Sequence, residues 1–475
     1  MTASSDHPQN PLHERYASRD MAALFTARHR FRTWRQLWLA LATCQHELGL
    51  GIDADQLAAL RRAQDDIDLE RVAVLERETR HDVVAHLRHY AERAGEAGGV
   101  LHLGATSAFV TDNTDALILR DALDLLLRRA AGVAQALIDF AARERARPCL
   151  AYTHFQPAQL TTVGKRACLW LQDVVDDLVH LRRMRADLRC RGVQGTTGTQ
   201  ASYMTLFDDR HDQVVALNLR FAEHIGLPAF PITGQTYPRK QDSRLLAVFA
   251  GIAETAHKFG TDLRLLQGVG ELAEPVGSAQ VGSSAMAYKR NPIRAERLCG
   301  LARRLLTDSL NGPLNAGTQW LERSLDDSAN RRLVLADACL TADAVLNLMA
   351  GIAEGMTVRA ASTAARVERE LPFMATETIL MEAVRRGGDR QVLHERLREH
   401  SLAAQEAIEN GDANPLVATV AADESFRLSR AEIDARLDPQ RFTGRSAQQV
   451  EDFLDQVARP ALADAEIVTA EAPRV

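Results

Sequence analysis

The chain has 475 residues, enough for two or three domains and a large hydrophobic core. Its formal net charge of -6 argues against a protein that coats nucleic acid or an anionic membrane. Six scattered cysteines without a C-x-x-C pair argue against a disulfide framework or a zinc site and favour reduced, mostly buried thiols. We find neither an apolar run long enough to cross a bilayer nor a signal peptide, so we expect a cytoplasmic protein.

Helical periodicity dominates the chain from its first third onward. A helix is predicted over residues 21–50 and a charged helical segment over 55–80. The clearest pattern lies between residues 119 and 140, where apolar residues alternate at spacings of three and four. Further long helices are predicted at residues 171–188, 249–266, 293–310 and 329–354.

Five long helices with coiled-coil-like seams predict an all-α fold built on a central bundle. No β-α-β alternation is visible, which excludes a doubly wound nucleotide-binding domain. The broad apolar faces favour a homo-oligomer. We place an N-terminal helical domain at residues 1–105, the long-helix bundle at 106–357 and a small C-terminal helical domain at 358–475.

Polar loops interrupt these helices. His154 lies in a loop over residues 152–157, where it is either a packed histidine or a proton carrier near neutral pH. The loop at 195–200 lacks the G-x-x-x-x-G-K-[ST] pattern, so it is not a nucleoside-triphosphate cradle; it either binds substrate or caps a helix. Arg239 and Lys240 form a further cationic loop.

The loop over residues 323–332 surrounds Asp326 and Asp327 with three arginines. No second acidic cluster completes a metal site, so we expect the two aspartates to cap or orient the arginines. The arginines would then hold phosphate or carboxylate in fork geometry. Together the loops favour a cleft for an anion.

The loop over residues 282–292 reads GSSAMAYKRNP and is either an anion-binding loop or a polar connector. Its pattern resembles the signature loop of the fumarase/aspartase superfamily, whose members release fumarate from succinyl compounds. The fuller motif is similar to that of the adenylosuccinate lyase family, closest to its animal branch. Further matching motifs lie at residues 31–38, 103–107, 153–165, 325–331, 371–377 and 442–445.

This resemblance covers nearly the whole chain. It implies three helical domains, a homotetramer with the long helices at its core, and active sites assembled from three subunits. It also implies β-elimination of fumarate from adenylosuccinate, giving AMP, and from succinylaminoimidazole carboxamide ribotide, giving AICAR. No metal or other cofactor, nucleic acid or membrane partner is expected.

The resemblance also implies roles for single residues. Ser283 would be the general base and His154 the general acid, although the sequence names no certain activator for the serine hydroxyl. Residues expected to hold the succinyl carboxylates or assist proton transfer are His81, Thr106, Ser107, Lys289 and Asn291. Those expected to bind the nucleotide and remaining anionic groups are Arg15, Tyr16, Arg80, Asp82, Gln235, Arg297, Arg323, Ser328 and Arg332.

One position departs from the family pattern. Ala287 stands where the signature usually has proline, which restores a backbone donor and predicts a loop with more conformational freedom. Two alternatives remain open at this stage. One is a lyase of the same superfamily acting on another N-succinyl compound, and the other is a non-catalytic helical oligomer.

Overall fold

The computed structural model describes residues 10–277, 286 and 288–471. The calls on Ser283 and Ala287 therefore lie outside the described residues. The N-terminal part contains a π-helical turn at Leu12–Tyr16, followed by α1 (Arg19–Leu24), α2 (Ala27–Glu47), α3 (Ala54–Ala63), α4 (Leu69–Thr79) and α5 (Asp82–Ala94).

The central part holds the long helices. Its elements are α6 (Ser107–Arg143), β1 (Pro148–Thr153), β2 (Gln156–Thr162), α7 (Val163–Asp187), α8 (Ala201–Leu206), α9 (His211–Ile225), α10 (Lys240–Gly268), β3 (Leu272–Ala273), α11 (Ile293–Ser309), α12 (Asn311–Gly317), α13 (Asp326–Gly355) and β4 (Thr357–Val358). The C-terminal part contains α14 (Ala360–Met374), α15 (Thr376–Arg385), α16 (Arg390–Glu409), α17 (Leu416–Ala422), α18 (Arg430–Asp434), α19 (Ser446–Phe453) and α20 (Arg459–Ala461).

The predicted all-α bundle is confirmed. Helices α6, α7, α10, α11 and α13 pack side by side, and the predicted stripe on α6 (Leu119, Leu123, Leu126 and Leu137) is buried in their common core. At 1.5 Å per residue, α6 is about 54 Å long and α10 about 42 Å. These two helices fix the distance between the ends of the bundle.

Two helical segments predicted as continuous are each divided in the structure. Residues 55–80 form α3 and α4, because the side chain of Asp68 accepts the N–H groups of Glu70 and Arg71 and starts a new helix. Residues 21–50 likewise divide at Thr26, whose hydroxyl accepts the N–H of His29. In both cases a local cap overrides the apolar periodicity.

The prediction that no apolar run could cross a bilayer is wrong, because one helix is long and apolar enough by length and composition. Helix α13 contains an 18-residue window with a mean hydropathy of 1.6. However, 83% of that window is buried inside the structure. The apolar character of α13 thus belongs to a helix at the centre of the bundle.

Hydrophobic clusters broadly follow the three predicted regions, but some residues of one region pack in the cluster of another. The N-terminal cluster includes Phe207 and Phe221 from the segment around α8 and α9, and the central cluster includes Val450 and Leu454 from the C-terminal segment. A separate cluster joins α15, α16 and α17. All six cysteines are free and buried, as predicted. The domain boundaries themselves stay predictions.

Candidate active site

At one end of the bundle, the N-termini of α5 and α6 face each other. His81 is the N-cap of α5, and its Nε2 lies 3.3 Å from Oγ of Ser107, the first residue of α6. Thr106 is the N-cap of α6, and both Thr106 and Ser107 are partly exposed. Two converging helix N-termini bring their positive dipole ends together, which suits a carboxylate or phosphate.

An ion pair joins this end of α5 to α13. Asp82 accepts a hydrogen bond from Nη2 of Arg332 at 2.8 Å. Partial burial works to raise the pKa of Asp82, but the hydrogen bonds from Arg332 and the Val83 N–H outweigh it and lower the pKa. The neighbouring Arg80 is exposed and ends α4 in the left-handed region, with φ 54°. Asp82 thus stays ionised and holds Arg332 across the opening.

Behind this pair lies a cavity of about 340 Å³. Four predicted site residues line it, namely Asp82, Arg323, Ser328 and Arg332. Its opposite wall includes aromatic side chains of α2. The cavity therefore combines cationic and hydroxyl groups with an apolar wall, as a nucleotide site requires.

A buried ion-pair network supports Arg323. The Asp327 carboxylate accepts from Nη1 of Arg323 at 2.7 Å and from Nε of Arg239 at 2.6 Å. Arg239 also pairs with Asp112 at 2.9 Å. Asp327 therefore orients Arg323 as expected, whereas Asp326 accepts a hydrogen bond from the Ser324 hydroxyl. Arg239 is 4% exposed and neutralised by two carboxylates, so its assignment to an anion-binding loop is wrong.

Arg331 is likewise structural and not available to a ligand charge. Its Nε lies 2.7 Å from Oδ2 of Asp242, and its Nη2 lies 3.1 Å from Asp115. The phenol of Tyr237 also accepts a hydrogen bond from Arg331. The predicted loop over residues 323–332 is helical from Asp326 onward, because α13 begins there. Of its three arginines, Arg323 is partly exposed and Arg332 is exposed.

Gln235 connects the neighbouring loops. Its Nε2 donates to the carbonyl of Thr196 at 3.1 Å, and its N–H donates to the carbonyl of Glu322 at 3.0 Å. Gly198, at φ 83°, approaches this segment so closely that a Cβ would lie 1.9 Å from the Thr233 carbonyl oxygen. The loop at 195–200 is therefore packed against the loop that carries Gln235.

His154 lies at the tip of the β1–β2 hairpin, a structure that the sequence did not predict. Thr153 pairs with Gln156, and the two residues between them, His154 and Phe155, have φ values of 53° and 59°. Positive φ at both central positions is typical of a type I′ turn, which normally uses Asn-Gly. Two bulky residues in this conformation are strained, and such strain tends to occur at functional sites.

The hairpin is anchored by a buried carboxylate that the motifs did not single out. The Tyr152 hydroxyl donates to Glu271, which also pairs with Arg166 at 3.1 Å. Burial, followed by this hydrogen bond, raises the pKa of Tyr152 to about 12, so the phenol remains a donor. Arg366 of α14 donates to the same hydroxyl at 3.2 Å. The hairpin is thereby tied both to the segment that follows α10 and to α14.

The described part of the signature loop lies at this same end. Lys289 is exposed, and its N–H donates to the Met286 carbonyl at 3.0 Å. Gln267, near the end of α10, donates to the carbonyl of Arg290 at 3.0 Å. Asn291, the next residue, is partly exposed.

The exit of this loop is capped by an acidic side chain. Glu274 is 2% exposed and accepts the N–H groups of Arg294 and Ala295, which satisfies two donors at the start of α11. One turn further, the Arg297 guanidinium lies 5.9 Å from the ring centroid of Tyr16. The predicted residues Arg15, Tyr16 and Arg297 thus belong to this end.

The predicted residues form two groups at opposite ends of the bundle. The first, which we call the His81 group, contains Arg80, His81, Asp82, Thr106, Ser107, Gln235, Arg323, Ser328 and Arg332. The second, the His154 group, contains Arg15, Tyr16, His154, Lys289, Asn291 and Arg297. Arg239 stands just before the start of α10 and Glu271 just after its end, so about 40 Å of helix separates the groups.

Among the described residues, no group of three or more His, Cys, Asp or Glu side chains has the spacing to hold a metal ion. Some residues of the site leave no local trace in sequence. Glu271 lies 119 positions from Tyr152, so no short motif could reveal their contact.

The chain was compared with known proteins. A family model described as Lyase matches residues 15–306, and one described as Adenylosuccinate lyase C-terminus matches residues 372–453. The chain is 46% identical to the adenylosuccinate lyase of Saccharomyces cerevisiae over 462 residues, covering 96% of each chain. It is 43% identical to that of Schistosoma mansoni over 458 residues, covering 96% of this chain and 95% of the other.

Solved structures agree on the fold. The 3-carboxy-cis,cis-muconate lactonizing enzyme from Pseudomonas putida matches with a TM-score of 0.81 at 24% identity, covering 95% of this chain and 99% of the other. A fumarate lyase from Mesorhizobium sp. BNC1 matches with a TM-score of 0.79 at 21% identity, covering 94% and 100%. Placement nearest the animal branch stays a prediction, because fungal and animal relatives match at similar identities. The chain belongs to the adenylosuccinate lyase family of the fumarase/aspartase superfamily.

Proposed function

We propose that the protein cleaves adenylosuccinate to AMP and fumarate, and succinylaminoimidazole carboxamide ribotide to AICAR and fumarate, in purine nucleotide biosynthesis. The observation that carries this function is the 46% identity to the Saccharomyces cerevisiae adenylosuccinate lyase across 96% of both chains. Another N-succinyl substrate is not favoured, because the similarity extends through the C-terminal segment that has its own adenylosuccinate lyase model.

The reaction is an elimination across a carbon–carbon single bond. A base removes a proton from the carbon beside one carboxylate, the electron pair forms the double bond of fumarate, and the C–N bond breaks. The nitrogen then takes a proton from an acid. Two separate groups are needed, since base and acid act on different atoms of the substrate.

His154 is the proposed acid and Ser283 the proposed base. The exposed hairpin tip presents the imidazole to a ligand, and an imidazole can carry a proton near neutral pH. Ser283 belongs to the same sequence motif as Lys289. The strained turn at His154 supports this role, because the hairpin holds the side chain in one place at a cost in backbone energy.

The succinyl carboxylates are assigned to the facing helix N-termini and the signature loop. His81, Thr106 and Ser107 would contact them from one copy of the chain, and Lys289 and Asn291 from another. Charge builds on the carboxylate as the carbon loses its proton. A donor aimed at such charge typically contributes about 3–4 kcal/mol to catalysis.

The nucleotide part is assigned to the arginine-bearing surfaces. Arg323, Ser328 and Arg332 line one cavity with Asp82, which supports binding of phosphate and ribose there. The remaining proposed nucleotide contacts are Arg15, Tyr16, Arg80, Gln235 and Arg297. The apolar wall of the cavity offers a surface for a base.

A complete site then requires more than one copy of the chain. The His81 group and the His154 group are about 40 Å apart along α10, too far for one small substrate to contact both. We propose a homotetramer in which copies of the bundle pack so that unlike ends meet. Exposed leucines on α12 and α13, including Leu314 and Leu333, support burial against another copy.

The proposed location is the cytoplasm, without nucleic acid or membrane partners. Six buried free cysteines suit a reducing compartment, and the net charge of -6 disfavours an anionic polymer or surface.

An assay with both substrates tests the function. Purified protein is mixed with each succinyl nucleotide, and fumarate and the nucleotide product are followed together. We expect stoichiometric release of both products. A well-folded oligomer that turns over neither compound would reject the proposal.

A further inference from the structure

The last described segment of the chain is hydrogen-bonded to the bundle. Residues 466–471, which we call the C-terminal strap, lie along α6 and α13. The N–H of Glu471 donates to Oδ1 of Asn347 at 2.8 Å, and the N–H of Ala470 donates to Glu354 at 3.2 Å. A Cβ at Gly132 would lie 2.2 Å from the carbonyl oxygen of Val468. Glycine therefore permits a backbone contact that any other residue would block.

A buried arginine connects the strap to the bundle core. Arg129 of α6, whose side chain is 4% exposed, pairs with the Glu471 carboxylate and donates to the Thr469 carbonyl at 3.2 Å. Its Nε lies 3.5 Å from Oδ1 of Asp343 on α13. The Asp343 side chain has no exposed surface, so Arg129 is the cation that compensates its buried charge.

Asp343 in turn holds the N-terminal segment. Its Oδ2 accepts the N–H of Ser18 at 2.6 Å, and its Oδ1 accepts the Ser18 hydroxyl at 3.1 Å. The same hydroxyl accepts the N–H of Met21 at 3.1 Å and caps α1. Ser18 stands two residues after Tyr16, so these bonds fix where the preceding turn leaves the bundle.

We propose that Arg129 and Asp343 are positioning residues for substrate binding, which connect the C-terminal strap through Ser18 to the segment that carries Arg15 and Tyr16. This inference rests on the proposed function, in which those two residues contact the nucleotide. Neither Arg129 nor Asp343 touches substrate. When the connection is intact, the segment that carries Arg15 and Tyr16 is ordered before substrate binds. When the connection is broken, part of the binding free energy must be used to order this segment.

Two substitutions in the full-length protein test the connection. Asp343→Asn keeps the shape but places an amide N–H₂ where a carboxylate faces two donors and Arg129, and Glu471→Gln removes the charge at the strap. We expect each to raise KM for adenylosuccinate about 5- to 20-fold while kcat stays within about twofold. Glu466→Gln is the matched control, because Glu466 also lies in the strap but its ion pair with Arg128 is solvent-exposed and involves neither Arg129 nor Asp343.

A double-mutant cycle separates positioning from general damage. In an Arg15→Ala background, Asp343→Asn should raise KM by less than about twofold more, because both act on the same contact. Fully additive effects would overturn the proposal. Glu471 is partly exposed, so Glu471→Gln carries the kinetic test if Asp343→Asn does not fold.

Hydrogen exchange supplies a readout that does not need activity. Amides of residues 18–24 should exchange faster in Asp343→Asn and Glu471→Gln than in wild type or Glu466→Gln. The connection would be rejected if wild type is active but Asp343→Asn and Glu471→Gln have the same exchange rates and KM as the Glu466→Gln control. Inactive wild type would reject the proposed function instead, and the exchange comparison would still decide the structural connection.

Discussion

At the scale of single residues, the turn at His154 and Phe155 has an unusual backbone conformation and carries the proposed acid. A type I′ turn with Asn-Gly would have been easier to form, yet the chain places two large side chains there. The Phe155 ring packs against the Tyr152 ring in a tilted arrangement with 5.6 Å between centroids, and Tyr152 is held by Glu271. Packing below the turn thus offsets strain at its tip and leaves the imidazole outward.

Replacing the proposed acid tests this interpretation. We expect His154→Asn to lower kcat about 10²- to 10⁴-fold, because asparagine cannot deliver a proton to the leaving nitrogen. Asparagine tolerates positive φ, so the hairpin should persist and KM should change little. Steady-state kinetics and circular dichroism measure both outcomes. A variant that kept more than about a tenth of wild-type kcat, with chemistry rate-limiting, would exclude this role.

Residue roles were predictable only where a motif carried them. His81, His154 and Lys289 stand in stretches of distinctive sequence, whereas Arg129 and Asp343 stand within helices as ordinary-looking charged residues. Ser18 and Asp343 are 325 positions apart. A buried polar contact at such separation depends on how the helices pack, which no short window of sequence contains.

At the scale of elements, the ion-pair network between α6, α10 and α13 fixes the His81 end. Asp327 is fully buried and shared between Arg239 and Arg323. A buried pair contributes little net stability when complete, but loss of one partner leaves a charge without compensation. The network therefore makes the position of Arg323 depend on three helices at once.

We expect Asp327→Asn to destabilise the protein by about 3–5 kcal/mol and to raise KM, since Arg239 and Arg323 lose a shared carboxylate. Urea unfolding at a fixed protein concentration measures the first effect and steady-state kinetics the second. The exposed neighbour provides the control, and Asp326→Asn should shift the urea midpoint much less than Asp327→Asn does. Equal midpoints for the two variants would contradict the role of the network.

A second buried carboxylate makes stability depend on pH. Burial, together with the nearby Asp176 and Asp173, raises the pKa of Asp177 on α7 to about 7, although a hydrogen bond from Thr255 opposes the rise. Between about pH 4 and 7 the folded protein retains this proton while the unfolded chain releases it. The contribution of Asp177 to the free energy of unfolding therefore falls as pH rises through this range.

Asp177→Asn imitates the protonated carboxyl, so it should remove the loss of stability that ionisation of Asp177 causes at high pH. We expect the variant to be about 1–2 kcal/mol more stable than wild type at pH 8 and nearly equal to it at pH 4. Urea midpoints at the two pH values measure the difference. Asp176→Asn, at an exposed position on the same helix, should give a smaller gain. A difference between the variant and wild type that does not grow from pH 4 to pH 8 would refute the assignment.

The long helices were predicted from sequence and the hairpin was not, and this difference has a physical reason. The long helices were found because apolar spacing of three and four is a local property of each helix. The β1–β2 hairpin was missed because its turn lacks Asn or Gly and because β1 packs against α14, far along the chain. Caps at Asp68 and Thr26 were also overlooked, although their residue types are characteristic.

At the scale of the whole molecule, the bundle separates the two halves of the candidate site by its own length. A helix of 29 residues is about 42 Å long, whereas a succinyl nucleotide has to contact acid, base and carboxylate donors at once. One chain therefore supplies His154 at one end and His81 with Arg332 at the other. Copies that pack with unlike ends together would bring these residues to one substrate.

This geometry predicts complementation between two inactive variants. His154→Asn alone removes the proposed acid from every site. His81→Asn alone removes the imidazole that is proposed to contact a succinyl carboxylate. After the two are unfolded and refolded together at equal concentration, about a quarter of the sites should hold both wild-type residues. We expect fumarate release at about that fraction of wild-type activity, measured against each variant refolded alone and against the same two variants mixed without unfolding. A refolded mixture no more active than its components, with mixed oligomers shown by mass, would mean that His81 and His154 act in the same copy and would overturn the shared site. Activity that instead appears in the double variant His81→Asn, His154→Asn would exclude both residues from the chemistry.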